Sequence, residues 1–344
     1  MMPRGLTWLA LAICLVLHVT PCAASTENVS EFISILEETG FTVQEGRLSK
    51  LNVLELCSAG YVNYCFGNNA GFPYAIYILP PSPEQDPSPR QSPPTGYDPD
   101  AADNYPANLD TVPAGMIYKL RPDEAIVLIG STPPPARYFS FRSYLGFVEN
   151  RPGKDYTGTP TFGDDEIGWY HRIYCSLGDP LNHLNMWTNN TPGGAVGNAF
   201  GSATVLITTA DRGINRMMRD ALTAAGYSPD IINDDNIPPS LVHMGLEKGK
   251  DTFLIIMRAA LWDQPNVGSD YLDNIGDHIR VFRVTPNTPI AAVEPWPVPA
   301  LRVRETGVSE YQTIPNAAAD LEHLRHEIVL SLLTVIDSML RRSG

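Results

Sequence analysis

The chain has 344 residues, a formal net charge of −14 at pH 7, 43% hydrophobic residues and 18% charged residues. That apolar fraction excludes a disordered chain, because it supplies enough side chains for a packed core. The acidity, with no basic patch interleaved with aromatics, argues against nucleic acid and anionic membrane surfaces as partners.

The run from Leu6 to Val19 is apolar, follows Arg4 and is closed by Pro21 and the small residues Ala23, Ala24 and Ser25. A basic start, a short apolar stretch and small residues at the end form a secretory signal pattern. Cleavage near Ala24 is expected, which removes one positive charge and takes the net charge from −14 to −15. The apolar run is shorter than the roughly 20 residues of a spanning helix. Ile328 to Leu340 is shorter still and contains Asp337, so no transmembrane segment is expected after cleavage. The protein is therefore expected to be secreted or extracytoplasmic.

An oxidising compartment gives the cysteines a reading. The spacing of Cys57 and Cys65 suits a local disulfide across a short turn. Cys175 is then expected to be buried and inert, or paired with one of those two. Asn28 and Asn189 each begin a glycosylation sequon, which places both on the surface of a glycoprotein if the source cell glycosylates.

Residues 25–79 read as an N-terminal helix and strand. Ser25 to Thr39 has a helical apolar face in Phe32, Ile33 and Leu36, with Asn28 or Ser30 as its cap and Gly40 as its stop. Tyr74 to Leu79 reads as a strand. Residues 80–103 form a Pro-rich loop or linker, with eight prolines between Pro80 and Asp100.

Residues 104–290 read as a β-rich core domain. Gly115 to Leu120, Glu124 to Gly130 and Arg137 to Phe147 are enriched in β-branched and aromatic residues, with turn signals between them. In the third run, alternation puts Tyr138, Ser140, Arg142 and Tyr144 on one face, and Phe139, Phe141, Ser143 and Leu145 on the other. Trp169 to Ser176 and Ala203 to Thr208 are further strands. Asp211 caps a helix carrying Ile214, Met217, Met218, Leu222 and Ala225, which Gly226 ends. Asp251 to Trp262 holds a buried strand, Tyr271 to Gly276 a helix end, and His278 to Val284 an alternating strand. Residues 291–344 form a Pro-rich return and a helix, with Leu321, Leu324, Ile328, Leu332, Val335 and Met339 as a core stripe. The fold class expected is α+β, with a β-sandwich-like centre, flanking helices and a packed C-terminal helix.

Several central segments carry a resemblance. Tyr105 to Thr111, Ile117 to Leu120, Ala125 to Ile129 and Ala136 to Phe141 resemble a widespread family of exported bacterial proteins catalogued only as a domain of unknown function. Leu254 to Ala260 and Val281 to Pro286 are similar to later segments of that family, so the resemblance covers about 104–286. Leu109 and Phe139 depart from the family's commonest residues. The resemblance implies a β-sandwich-like core with attached helices, and no assigned catalytic residues.

Candidate chemistry concentrates between Trp169 and Trp187. No esterase elbow, phosphate loop, dinucleotide fingerprint or His-Glu-x-x-His motif is present, so no cofactor is implied. His183 and His171 are the candidate general bases, with Asp179 orienting one of them. Arg137, Arg142, Asn108, Asp110 and Tyr138 are the candidate substrate contacts, able to clamp a carboxylate or sugar hydroxyls. His323, His326 and Glu327 share one side of the last helix and read as a solvated face rather than a metal site.

These residues point to a cofactor-independent extracellular hydrolase or lyase acting on a small molecule or polymer fragment. The alternative is a non-catalytic ligand- or carbohydrate-binding protein, or a cell-surface interaction protein, with Tyr138 and Tyr144 facing the partner. An enzyme requires His171, His183, Asp179, Arg137 and Asp110 to converge in one recess. A binder requires an aromatic platform without such a titratable pair.

Overall fold

The computed structural model describes residues 26–51, 73–83, 85, 115–150, 154, 161–162, 170–247, 249–291, 294–298, 319, 322–330 and 333. Residues 1–25, on which the expected signal pattern falls, and Cys57, Cys65, Asn108 and Asp110 lie outside these residues. The chain divides into two compact units, Met1–Pro297 and Val298–Gly344.

The first unit is α+β and is built on two sheets. Its five-stranded sheet contains β1 (Phe41–Glu45), β4 (Ala125–Ser131), β9 (Ala203–Thr209), β10 (Ile232–Asn236) and β12 (Ile279–Pro286) in the order β1-β12-β4-β9-β10. All neighbours are antiparallel except β9 and β10. A parallel pair needs a crossover, here supplied by helix α2 (Arg212–Ala224). The second sheet contains β2 (Arg47–Leu51), β3 (Tyr74–Ile78), β5 (Ala136–Glu149), β6 (Thr161–Phe162), β7 (Tyr170–Ser176) and β11 (Phe253–Trp262), ordered β2-β3-β11-β5-β7-β6, with β8 (Leu181–Asn182) paired to β5. The N-terminal segment is woven into both sheets, because β1 pairs with β12 and β3 with β11.

Strand β4 explains the layering. All seven of its residues are buried, as an apolar run covered on both faces should be. Ile126 and Leu128 meet Phe139, Phe141, Ile255 and Met257 of the other sheet in one core. Ala125, Val127 and Ile129 meet α2 and helix α1 (Thr26–Glu38) in another, through Phe32, Leu36, Ile214, Met218 and Leu222. Each such fully buried aliphatic or aromatic side chain contributes about 1.5–3 kcal/mol. The order of layers is therefore helices, five-stranded sheet, seven-stranded sheet.

Local signals place the helices. The Asp211 carboxylate accepts from the Ile214 amide at 2.8 Å, satisfying one of the free N–H groups at the start of α2. Gly226, with φ of 91°, supplies the left-handed residue past its end. In α1 the expected caps are displaced: the helix begins at Thr26, so Asn28 and Ser30 lie inside it. Helices α3 (Pro265–Asp273) and α4 (Ile275–His278) precede β12.

Residues 115–120 form no full strand and make only isolated bridges, Tyr118 to Phe253 and Leu120 to Gly245. In the second unit, residues 322–330 are helical, but Leu324 and Ile328 are 55% and 51% exposed. The core stripe read from periodicity there is not a buried face among the described residues.

Candidate functional site

The structure separates the two candidate bases. His171 lies on β7 opposite Val148 of β5, and its Nδ1 is 2.8 Å from Asn150 Oδ1. His183 directly follows Asn182, which pairs with Ser140. Eight residues along an extended β5 place the two histidines about 25 Å apart. Asp179 is exposed beyond β7, and Arg137 is exposed at the start of β5. The set His171, His183 and Asp179 therefore does not form one proton-transfer site. Cys175, expected to be buried or paired, is an exposed free thiol: it sits in the outer part of the sheet, on a strand flanked among the described residues by β5 and the two-residue β6. Asn189 is exposed and holds the Ala203 amide through its Oδ1 at 2.8 Å.

His183 is an aromatic packing element. Its ring lies 5.6 Å from Tyr138, 6.2 Å from Phe139 and 5.5 Å from Phe200. Its Nδ1 is buried without a partner among the described residues, and burial pushes the imidazole pKa down. The unfolded chain therefore binds this proton more readily than the folded one. The sign follows: His183 leaves stability unchanged above about pH 6.5 and lowers it progressively as pH falls below. Urea midpoints taken from pH 7.5 to 5 should fall more steeply for the wild type than for His183→Phe. A midpoint difference that does not change with pH would contradict this assignment.

Strand β5 does assemble a site on its other face. Its alternation is as the sequence indicates: Phe139 and Phe141 are buried between the sheets, while Tyr138, Arg142 and Tyr144 are half-buried on the outer face. Register adds the neighbours. Ser140 pairs with Arg258 on β11, and Arg258 pairs with Tyr74 on β3. The Arg258 guanidinium stands 5.2 Å from the Tyr138 ring, and that of Arg142 stands 6.0 Å from the Tyr144 ring. Burial pushes the Tyr74 phenol pKa up, against a smaller opposing pull from Arg258. Arg142 Nε is buried with no acceptor among the described residues. A β-bulge between Leu145 and Phe147 ends this surface by turning Phe147 outward, into a buried cluster with Ile76, Ile78 and Leu254.

No family model, curated protein or solved structure matches this chain.

A second polar group lies between the sheets. One rung of the five-stranded sheet runs through Asp235, Thr208, Ile126 and Arg283. Arg283 and Glu124 are both 0% exposed, with Nη1 3.0 Å from Oε2. Glu124 also accepts from the Arg121 amide at 2.8 Å and the Thr285 hydroxyl at 2.6 Å. Arg283 Nη2 donates to the Lys119 carbonyl at 3.0 Å, and its Nε is buried without an acceptor among the described residues. At the other end of the rung, Asp235 Oδ2 accepts from Thr208 Oγ1 at 2.9 Å and from Ser143 Oγ of the opposite sheet. Sequence reading missed Asp235, because its two partners lie 27 and 92 residues away.

Proposed function

We propose that the protein is an extracytoplasmic ligand-binding protein whose outer β3-β11-β5 face holds an acidic saccharide fragment. The observation that carries this reading is the interleaving of Arg142 and Arg258 with Tyr74, Tyr138 and Tyr144 on one half-buried surface. Guanidinium groups match a carboxylate in charge and in paired donor geometry. Phenol rings present flat apolar faces to a sugar ring and a hydroxyl to its rim. Arg142 Nε, buried and without an acceptor among the described residues, is a donor that such a ligand would satisfy. The separation of His171 from His183 weighs against the hydrolase or lyase alternative built on that pair.

Titration calorimetry with trigalacturonate and with the neutral galactose trisaccharide tests this reading. The acidic ligand should bind at least tenfold more tightly than the neutral one. Arg258→Ala and Tyr138→Ala should each weaken it about tenfold, equivalent to roughly 1.4 kcal/mol. Equal affinity for the two saccharides, or unchanged affinity in both variants, would remove the outer face as the site.

A further inference from the structure

The inter-sheet recess at β10 is a separate matter from the outer face. Asp235 projects from an edge strand toward the opposite sheet and is enclosed by protein on most sides, yet it keeps partial solvent access. Both of its hydrogen bonds, from Ser143 and Thr208, go to Oδ2. Oδ1 takes none among the described residues. No cationic side chain forms an ion pair with this carboxylate there, whereas Asp234 beside it on the other face is paired with Arg219 at 2.6 Å.

A second polar atom comes from the same rung of the seven-stranded sheet as Ser143, since the β3-β11 register continued by one residue sets Tyr77 opposite Ile255, the partner of Ser143. Tyr77 is 1% exposed and its hydroxyl has no hydrogen-bond partner among the described residues. A buried hydroxyl without a partner is an exception that calls for an explanation. Tyr77 on β3 and Ser143 on β5 flank β11, so their strands are about 10 Å apart, within the reach of a phenol. The Asp235 charge adds to burial in raising the Tyr77 phenol pKa, and it also acts on Tyr118. The recess thus offers an unpaired carboxylate oxygen, an orphan phenol and tyrosine rings.

We infer that this recess binds the primary ammonium group of a small molecule, with Asp235 Oδ1 and the Tyr77 hydroxyl accepting its N–H donors. An ammonium ion neutralises a poorly solvated carboxylate and uses both open acceptors, and the tyrosine rings favour a cation over a neutral donor. Burial already pushes the Asp235 carboxyl pKa up, against the opposing pull of the Ser143 and Thr208 hydrogen bonds and of Arg142. A charge that its surroundings disfavour is one that a bound cation relieves.

The probe is 1,4-diaminobutane titrated into the full chain at pH 7.5, followed by amide NMR. Saturable shifts are expected at Tyr77, Ser143, Thr208 and Asp235. Asp235→Asn should weaken binding at least tenfold and Tyr77→Phe severalfold. Tetramethylammonium, a cation without N–H donors, should fail to compete. Shifts confined to other acidic surfaces, or an Asp235→Asn variant that binds as the wild type does, would overturn the inference. The shift map uses only the wild type, so it decides the matter even if the Asn variant misfolds. Galacturonate binding on the outer face should be unaffected by the diamine.

Discussion

Glu124→Ala should lower the unfolding free energy by about 3–5 kcal/mol, the cost of leaving a buried charge without its partner. Glu124 accepts three hydrogen bonds with its carboxylate, from the Arg121 amide, Arg283 and Thr285. Its removal strands the Arg283 guanidinium, whose remaining acceptor is the Lys119 carbonyl at 3.0 Å. Arg283 cannot escape to solvent, because β12 sits between β1 and β4 with both faces covered. Replacing both members should cost far less than the sum of the single changes, because an apolar pair leaves no buried charge. Urea unfolding of Glu124→Ala, Arg283→Met and the double variant measures this. A loss under 1 kcal/mol in Glu124→Ala, or strict additivity in the double variant, would show that the pair is not a coupled unit.

Arg283 also marks where sequence reading stops. The pattern His278 to Val284 alternates, and alternation ordinarily puts polar residues in water. Here the second face is covered by another sheet, so Arg283 is held inside by Glu124 and Lys119, from residues more than 150 positions earlier. Nothing local in the strand distinguishes the two cases. By contrast, the two faces of β5 and the start and stop of α2 were legible, since periodicity, an Asp cap and a terminal glycine are local signals. The outer-face site was legible in part. Tyr138, Arg142 and Tyr144 follow from the period of β5, whereas Arg258 and Tyr74 join them only through strand register. The recess at β10 was not legible. Ile232 to Asn236 is polar enough to read as a turn, and its strand character comes from pairing with β9, a contact that no local pattern records.

Stability and binding should separate between the two faces of the β5-β11 ladder. Phe139 is fully buried and meets Phe141, Phe200 and His183 at ring distances of 6.2, 5.1 and 6.2 Å. Phe139→Ala removes most of a ring from a close-packed site and should cost about 3–5 kcal/mol, with the spread set by how far the neighbours collapse. The β5-β11 ladder is made of backbone hydrogen bonds and should hold Tyr138 opposite Ala260 and Arg258 opposite Ser140. In conditions where the Ala variant is folded, its affinity for the acidic saccharide should therefore change less than threefold. Arg258→Ala should do the reverse: a tenfold loss of affinity with a stability change near 0.5 kcal/mol, as for other partly exposed substitutions. The two faces of the β5-β11 ladder would then be energetically independent. A Phe139→Ala variant that is folded but has lost binding would instead tie the outer site to the inter-sheet core. The Tyr138 ring would then be held by the packing beneath it rather than by register alone.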